Sequence, residues 1–253
     1  MKLSKFFMVF LVASLANSLF AQPKVIAHRG FWKTEGSAQN SIRSLVKADS
    51  IKVYASEFDV WMTSDNKLVV NHDRVFKGYT MDSTKFSVAT KIKLDNGENL
   101  PTLESYLLQA LKQPNTRLVL EMKSLVTPKR ETAEVKKIVK MIKKYKLADR
   151  TDYIAFSKHA TKEFVRLSPK SAVYYLNGEA TPEELKAWGC AGLDYSFKVL
   201  KKHPEWIEQA HKLGLQVNVW TVDKEEDMRY FIGKKVDFIT TNEPLLLQSI
   251  LAQ

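Results

Sequence analysis

The chain has 253 residues, 45% of them hydrophobic and 26% charged, with 39 basic against 28 acidic side chains and a formal charge of +11. That is the composition of a globular protein large enough to bury a substantial core in one or two domains. The positive balance suits anionic ligands or lipid surfaces. No zinc-finger spacing, aromatic–basic RNA motif or recognition-helix pattern accompanies it, so a nucleic-acid partner is not expected. The single cysteine, Cys190, excludes an internal disulfide and reads as a small buried residue.

The N-terminus reads as a targeting segment. Lys2 and Lys5 precede an apolar run from Phe6 to Leu15, then Ala16-Asn17-Ser18 and a cleavage point at Leu19-Phe20-Ala21 before Gln22. The run is short for a membrane span. Residues 1–21 are expected to be a signal peptide and 22–253 the folded domain, exported to the periplasm or secreted; an uncleaved anchor is the alternative. Removing Lys2 and Lys5 lowers the charge from +11 to +9.

In the domain, Lys24–Ala27 is a short apolar strand running into His28-Arg29-Gly30. Ile42, Leu45 and Val46 mark a helix over Ser41–Ala48. Val53 to Asn71 reads as two strands turned at Asp65-Asn66. Residues 77–99 are polar and aperiodic, an insertion. Pro101-Thr102-Leu103-Glu104 starts a helix with a proposed apolar stripe of Leu103, Leu107, Leu108 and Leu111. Arg117–Lys123 is a buried-strand pattern, followed by a helix from Glu131 to Tyr145 with Val135, Ile138, Val139 and Ile142 on one face and lysines on the other. Strands at 152–157, 171–176, 191–195, 216–221 and 236–240 alternate with helices at 161–167, 182–187, 204–213, 224–232 and 244–251. About eight β-then-α units in roughly 230 residues are the arithmetic of a TIM (β/α)8 barrel with a small insertion. An open doubly wound sheet is the alternative, but no Gly-rich phosphate loop follows the first strand.

His28, Asp59, Glu121, Lys123, Ser157, Trp220 and Asn242 all fall at or just past C-terminal strand ends, the active-site face of a barrel. Glu57 and Asp59, two apart on a strand, share a face and repel each other unless a cation or proton intervenes. With Glu121 they make an oxygen-only set suited to calcium or magnesium. Three carboxylates and one divalent ion leave about −1, and Arg29 and Lys123 add +2, a balance that a phosphodiester monoanion completes. An ordinary Glu121–Lys123 ion pair at a strand end is the simpler reading of those two residues. His28 and His72 open onto the same mouth and can divide general-base and general-acid roles. His159, His203 and His211 read as surface or capping residues. Trp32, Trp61 and Tyr195 are candidate pocket residues.

The ordered set His28-Arg29-Gly30, Glu57-x-Asp59, His72-Asp73, Pro101-Thr102-Leu103-Glu104, Glu121-x-Lys123, Trp220-Thr221 and Thr240-Thr-Asn-Glu-Pro244 resembles the glycerophosphodiester phosphodiesterases. The resemblance spans the mature chain. It implies a TIM barrel that hydrolyses deacylated phospholipids to sn-glycerol 3-phosphate and an alcohol with a divalent cation. Glu57, Asp59 and Glu121 would be the metal ligands, His28 and His72 the acid–base pair, Arg29 and Lys123 the phosphate contacts, and Trp220 an aromatic wall. The chain departs from the family pattern at Gln39, where the family has Glu, and at Asn242, where it has Asp. Two further readings stay open: a non-catalytic barrel that binds phosphorylated glycerol or lipid headgroups, and a phospholipase C- or D-like enzyme on intact lipids. The lysine-rich helix offers weak contact to an anionic membrane, against the simpler reading of a solvated face. The oligomeric state is not legible.

Overall fold

The computed structural model describes residues 22–253; the proposed signal peptide lies outside the described residues. The barrel strands are β1 (Lys24–Ala27), β2 (Ala55–Met62), β6 (Arg117–Met122), β7 (Thr151–Ala155), β8 (Val173–Tyr175), β9 (Gly192–Ser196), β10 (Gln216–Trp220) and β11 (Phe238–Thr241). Consecutive members pair in parallel, and β1 pairs with both β2 and β11, which closes the barrel. Beyond the barrel rim β2 continues and pairs antiparallel with β3 (Leu68–Val70). The insertion then forms the hairpin β4 (Val75–Phe76) and β5 (Tyr79–Thr80) and a short helix, α2 (Phe86–Ala89).

The helical layer comprises α1 (Ile42–Ser50), α3 (Leu103–Ala110), α4 (Pro128–Lys144), α5 (Lys158–Leu167), α6 (Pro182–Trp188), α7 (Phe197–Lys202), α8 (Glu205–Lys212), α9 (Glu225–Gly233) and α10 (Pro244–Leu251). The starts follow local chemistry. Ser41, Thr102, Thr127, Ser157 and Thr181 each accept a backbone N–H from the first turn, and Pro128, Pro182 and Pro244 occupy first-turn positions where no N–H is needed. These caps move two starts upstream of the sequence reading: α4 begins at Pro128 rather than Glu131, and α5 at Lys158 rather than Thr161.

Strand alternation divides the side chains into two cores. Ile26, Ala55, Val119, Ile154, Tyr174 and Phe238 fill the barrel interior. Residues such as Phe58, Val60, Leu118 and Leu120 point outward into the helical layer, where the Phe58 ring stacks on Tyr106 at 4.3 Å between centroids. Truncating a ring buried this completely costs about 3–5 kcal/mol. Gly192 is required by the interior: a Cβ there would lie 2.0 Å from the Gln216 carbonyl oxygen on the next strand.

Three expectations are corrected. In α3 the buried positions are Leu103, Tyr106, Leu107 and Ala110, the i, i+3, i+4, i+7 set, whereas Leu108 and Leu111 are exposed. Tyr195 does not line the mouth. It points outward from β9, is fully buried against Tyr175 and Trp206, and donates its hydroxyl to the Ala180 carbonyl. Trp61 is likewise buried outside the pocket, and its indole N–H donates to the His72 carbonyl at 3.1 Å. Cys190 is buried, as expected.

Candidate active site

The C-terminal ends of β1, β2, β6, β10 and β11 bring His28, Arg29, Glu57, Asp59, Glu121, Lys123, Trp220 and Asn242 to one mouth, and the turn after β3 adds His72. Ligand oxygens of Glu57, Asp59 and Glu121 lie within 4.8 Å of one another, and all three residues are buried. Parallel pairing of β2 and β6 sets Asp59 beside Glu121. The loop after β1 is shaped for the same centre. Arg29 and Gly30 both adopt positive φ, 57° and 76°, and this turn aims the Arg29 backbone N–H at Glu57 Oε2, 2.7 Å away. A side chain at position 30 would collide with Ser44 of α1.

The carboxylates are held in unequal states. Burial pushes Glu57 well above the ordinary carboxylate range, and Asp59 and Glu121 push it further. Burial raises Glu121 to about 7, against the pull of Lys123. Burial also disfavours ionised Asp59, but Lys123, His72, Arg29 and the Asn40 amide outweigh it and hold Asp59 below its ordinary range. Lys123 Nζ sits 2.9 Å from Asp59 Oδ1 and 2.5 Å from Glu121 Oε1. Burial alone would depress its ammonium; these two carboxylates hold it above its usual range. The ion-pair reading of Glu121 and Lys123 is therefore correct, and it coexists with the acidic cluster.

The donor set fits a hard divalent cation. Glu57 Oε1 is buried with no hydrogen-bond partner, and three adjacent carboxylates cannot all ionise on the charge of Lys123 and Arg29 alone.

Two asparagines support the centre. Asn40, at φ 60°, donates Nδ2 to Asp59 Oδ2 at 2.7 Å and accepts the Asp59 backbone N–H at 3.0 Å. Asn242 is fixed by its neighbours: Asp223 accepts its Nδ2 at 2.8 Å, and its Oδ1 accepts the Trp32 indole N–H at 3.0 Å. That leaves Oδ1 as the acceptor facing His28 Nδ1 at 2.9 Å, so Nδ1 carries the proton and Nε2, 4.0 Å from Glu57 Oε2, presents its lone pair to the site. Burial, then Arg29, lowers His28 to about 4, which keeps it neutral at pH 7. His72 Nδ1 contacts Asp73 Oδ1 at 2.7 Å; burial lowers this imidazole too, with Asp59 and Asp73 opposing the fall. Both departures from the family pattern thus have local partners. Gln39 accepts the Arg29 Nη1 donor, and the Asn242 amide serves where the family has a carboxylate. Arg29 Nε is buried without a hydrogen-bond partner.

Two cavities meet at His72. An inner pocket of about 90 Å³ is lined by His28, Arg29, Glu57, Glu121, Asp194 and Trp220, among others. An outer cleft of about 400 Å³ runs between the loop after β1 and the insertion, past Trp32, Gln39, Asn40, Asp73, Phe76 and Asp95. The expected aromatic wall, Trp220, is in the inner pocket, and Trp32 is in the cleft. Ser157, by contrast, caps α5 and donates to Glu131 at 2.6 Å. Sequence reasoning passed over Asp194, Asp223 and the bidentate role of Asn40. The alternating pattern Gly192-Leu-Asp-Tyr-Ser196 was the available signal for an inward Asp194; Asp223 and Asn40 act through contacts far apart in sequence.

The model of the glycerophosphoryl diester phosphodiesterase family matches residues 28–246. A curated glycerophosphodiester phosphodiesterase of Caldanaerobacter subterraneus is 27% identical over 244 residues, covering 90% of this chain and 97% of the relative. A glycerophosphodiester phosphodiesterase structure from Parabacteroides distasonis is 53% identical with a TM-score of 0.90, covering 91% of this chain and 97% of that one. A phosphodiesterase from Oleispira antarctica, 22% identical, shares the fold with a TM-score of 0.77 over 92% of this chain and 98% of that one. The matched span runs from the first site histidine past the last site asparagine, and the chain belongs to the glycerophosphoryl diester phosphodiesterase family of phosphoric diester hydrolases.

Proposed function

We propose that the protein hydrolyses glycerophosphodiesters to sn-glycerol 3-phosphate and an alcohol, with His28 as general base, His72 as general acid and a divalent cation, calcium or magnesium, at Glu57, Asp59 and Glu121. The observation that carries this reading is the meeting of the two cavities at His72, beside a buried cluster that combines carboxylates with Arg29 and Lys123. The Oleispira structure holds the product sn-glycerol-3-phosphate, which supports the same substrate class here. When bound, the cation would neutralise charge on the phosphoryl oxygens.

The side chains divide the remaining work. Arg29, whose Nε has no hydrogen-bond partner and lies 3.8 Å from Asp59 Oδ2, and the Lys123 ammonium supply fixed positive charge to the phosphate. His28, neutral and with its Nε2 lone pair free, takes the proton from the attacking hydroxyl, of water or of the neighbouring glycerol carbon. His72 borders the outer cleft, where the second alcohol extends. In its imidazolium form, which Asp59 and Asp73 favour against burial, it donates a proton to that oxygen as the phosphorus–oxygen bond breaks, with Asp73 orienting the ring. An inner pocket of about 90 Å³ suits a small polyol rather than an acylated one.

The test is release of sn-glycerol 3-phosphate from glycerophosphocholine, with and without calcium or magnesium, by the native protein and His72→Ala. Activity should require the ion and fall about 10²- to 10⁴-fold in the variant. Metal-independent turnover or a fully active variant would sink the assignment, and no turnover of several headgroup diesters would favour the binding-barrel reading. The intact-lipid reading draws on Val75, Tyr79 and Val126, exposed apolar residues of the insertion and the segment after β6; turnover of lysophospholipid above glycerophosphocholine would establish it. Export is part of the proposal, with Gln22 as the N-terminal residue found by sequencing the mature protein. So is weak anionic-membrane contact through exposed Lys136, Lys137 and Lys140 of α4, read by vesicle co-sedimentation.

A further inference from the structure

We infer that Asp194 reads the polyol: its carboxyl group hydrogen-bonds a free hydroxyl of the glycerol moiety in the inner pocket and selects glycerol diesters over simple alkyl diesters. This deepens the reading above and rests on it for the identity of the substrate. Leu193 and Tyr195 point out of β9 into the helical layer, so Asp194 between them points into the barrel. It lines the inner pocket, is 2% exposed, and its Oδ1 is buried with no hydrogen-bond partner. A carboxyl group left this way is costly unless something in the pocket completes it.

The surroundings define what that is. Ile154, Phe156, Leu176 and Trp220 supply apolar walls to this pocket. The Trp220 indole N–H donates to the Asp194 backbone carbonyl at 2.9 Å, which ties the aromatic wall to the residue beneath it. Of the other polar groups lining this pocket, Thr240 already exchanges hydrogen bonds with Asn218. A small molecule with a carbon backbone and hydroxyl groups matches such walls, and the phosphate contacts do not need Asp194. Burial raises its carboxyl to about 8, against Asn218 and reinforced by Glu121, so near neutrality it is an uncharged acid. A neutral carboxylic acid both donates and accepts, as a hydroxyl does.

The experiment compares native protein, Asp194→Asn and Asp194→Leu on glycerophosphoethanolamine and on ethyl 4-nitrophenyl phosphate, whose ethyl group replaces glycerol, and measures binding of sn-glycerol 3-phosphate and ethyl phosphate by calorimetry. Asp194→Leu should lose at least tenfold in kcat/KM on the glycerol diester, chiefly through KM, and keep its rate on the aryl diester. Asp194→Asn should recover part of the loss. Equal losses on both diesters, or none on either, would overturn the inference. If the native protein hydrolyses no glycerol diester, the catalytic reading fails separately. The binding arm then decides: Asp194→Leu must abolish the preference for sn-glycerol 3-phosphate over ethyl phosphate, and an unchanged preference overturns the role of Asp194.

Discussion

The inner pocket is made largely of residues at strand ends, whereas the outer cleft is made of residues from connecting segments. His28, Glu57, Glu121 and Trp220 are set by parallel pairing that no single side chain can shift. Across His72, Trp32, Lys33, Phe76 and Asp95 are held by side-chain contacts made from connecting segments rather than by strand pairing. Lys33 pairs with Glu243, and Lys77 beside Phe76 pairs with the exposed Asp95 at 2.9 Å. The difference separates two demands. Bond-making groups need placement to a fraction of an ångström, and a closed barrel provides it. A cleft built from loops can change its shape without disturbing the strands, as the proposed alcohol side would need.

The strongest attack on this contrast is at the inner pocket. His28→Ala should lower kcat about 10²- to 10⁴-fold with little change in KM. Asn242→Leu, which removes the acceptor that fixes the His28 tautomer, should cost about 10- to 100-fold. Losses of that size from Trp32 would break the comparison.

Cation binding should depend on pH with a stated sign. Glu121 is raised to about 7, so below that value it holds a proton that must leave before it can ligate. Affinity should fall by up to about tenfold per pH unit below 7 on account of Glu121, and more steeply wherever Glu57, also raised by burial, still holds its proton, with proton release on binding. Calcium titrations at pH 6 and pH 8 in two buffers of different ionisation enthalpy measure both. An affinity flat across this range would remove Glu121 from the ligand set.

Effects in the cleft should be smaller and depend on the substrate. Trp32→Ala should shift relative kcat/KM among glycerophosphocholine, glycerophosphoethanolamine and glycerophosphoglycerol by about 3- to 10-fold; a shift of that kind is within reach of a single aromatic contact. Because Trp32 also donates to Asn242, Phe76→Ala is the cleaner companion. The smallest effect is expected at Lys77→Ala: the pair with Asp95 is exposed, and its loss should change stability by about 0–1 kcal/mol and turnover not measurably.

The same division decides what could be read before the fold was known. Barrel order follows from strand–helix alternation, and each chemical group at a strand end is announced by its position after an apolar run: Ala27 before His28, Leu120 before Glu121, Val219 before Trp220. What escaped was the set of side-chain contacts between the ends of neighbouring strands and their loops. Nothing near Asn242 in sequence says that Asp223 will orient it, or that Trp32 and His28 will share its oxygen. Asn40 reads as a turn residue, although it clamps Asp59 at both ends of its amide. Leu108 and Leu111 misled because leucines at near-helical spacing resemble a buried stripe until the true face, with Tyr106 and Ala110, is known.

Lys123 has a consequence for the life history of the protein. Its ammonium lies between Asp59 and Glu121 and acts as a counter-ion carried by the chain itself. Together with Arg29 it offsets most of the acidic charge that converges as the barrel closes. The mouth can therefore assemble without a divalent ion, and the proposed metal loading would then follow folding and track ion supply.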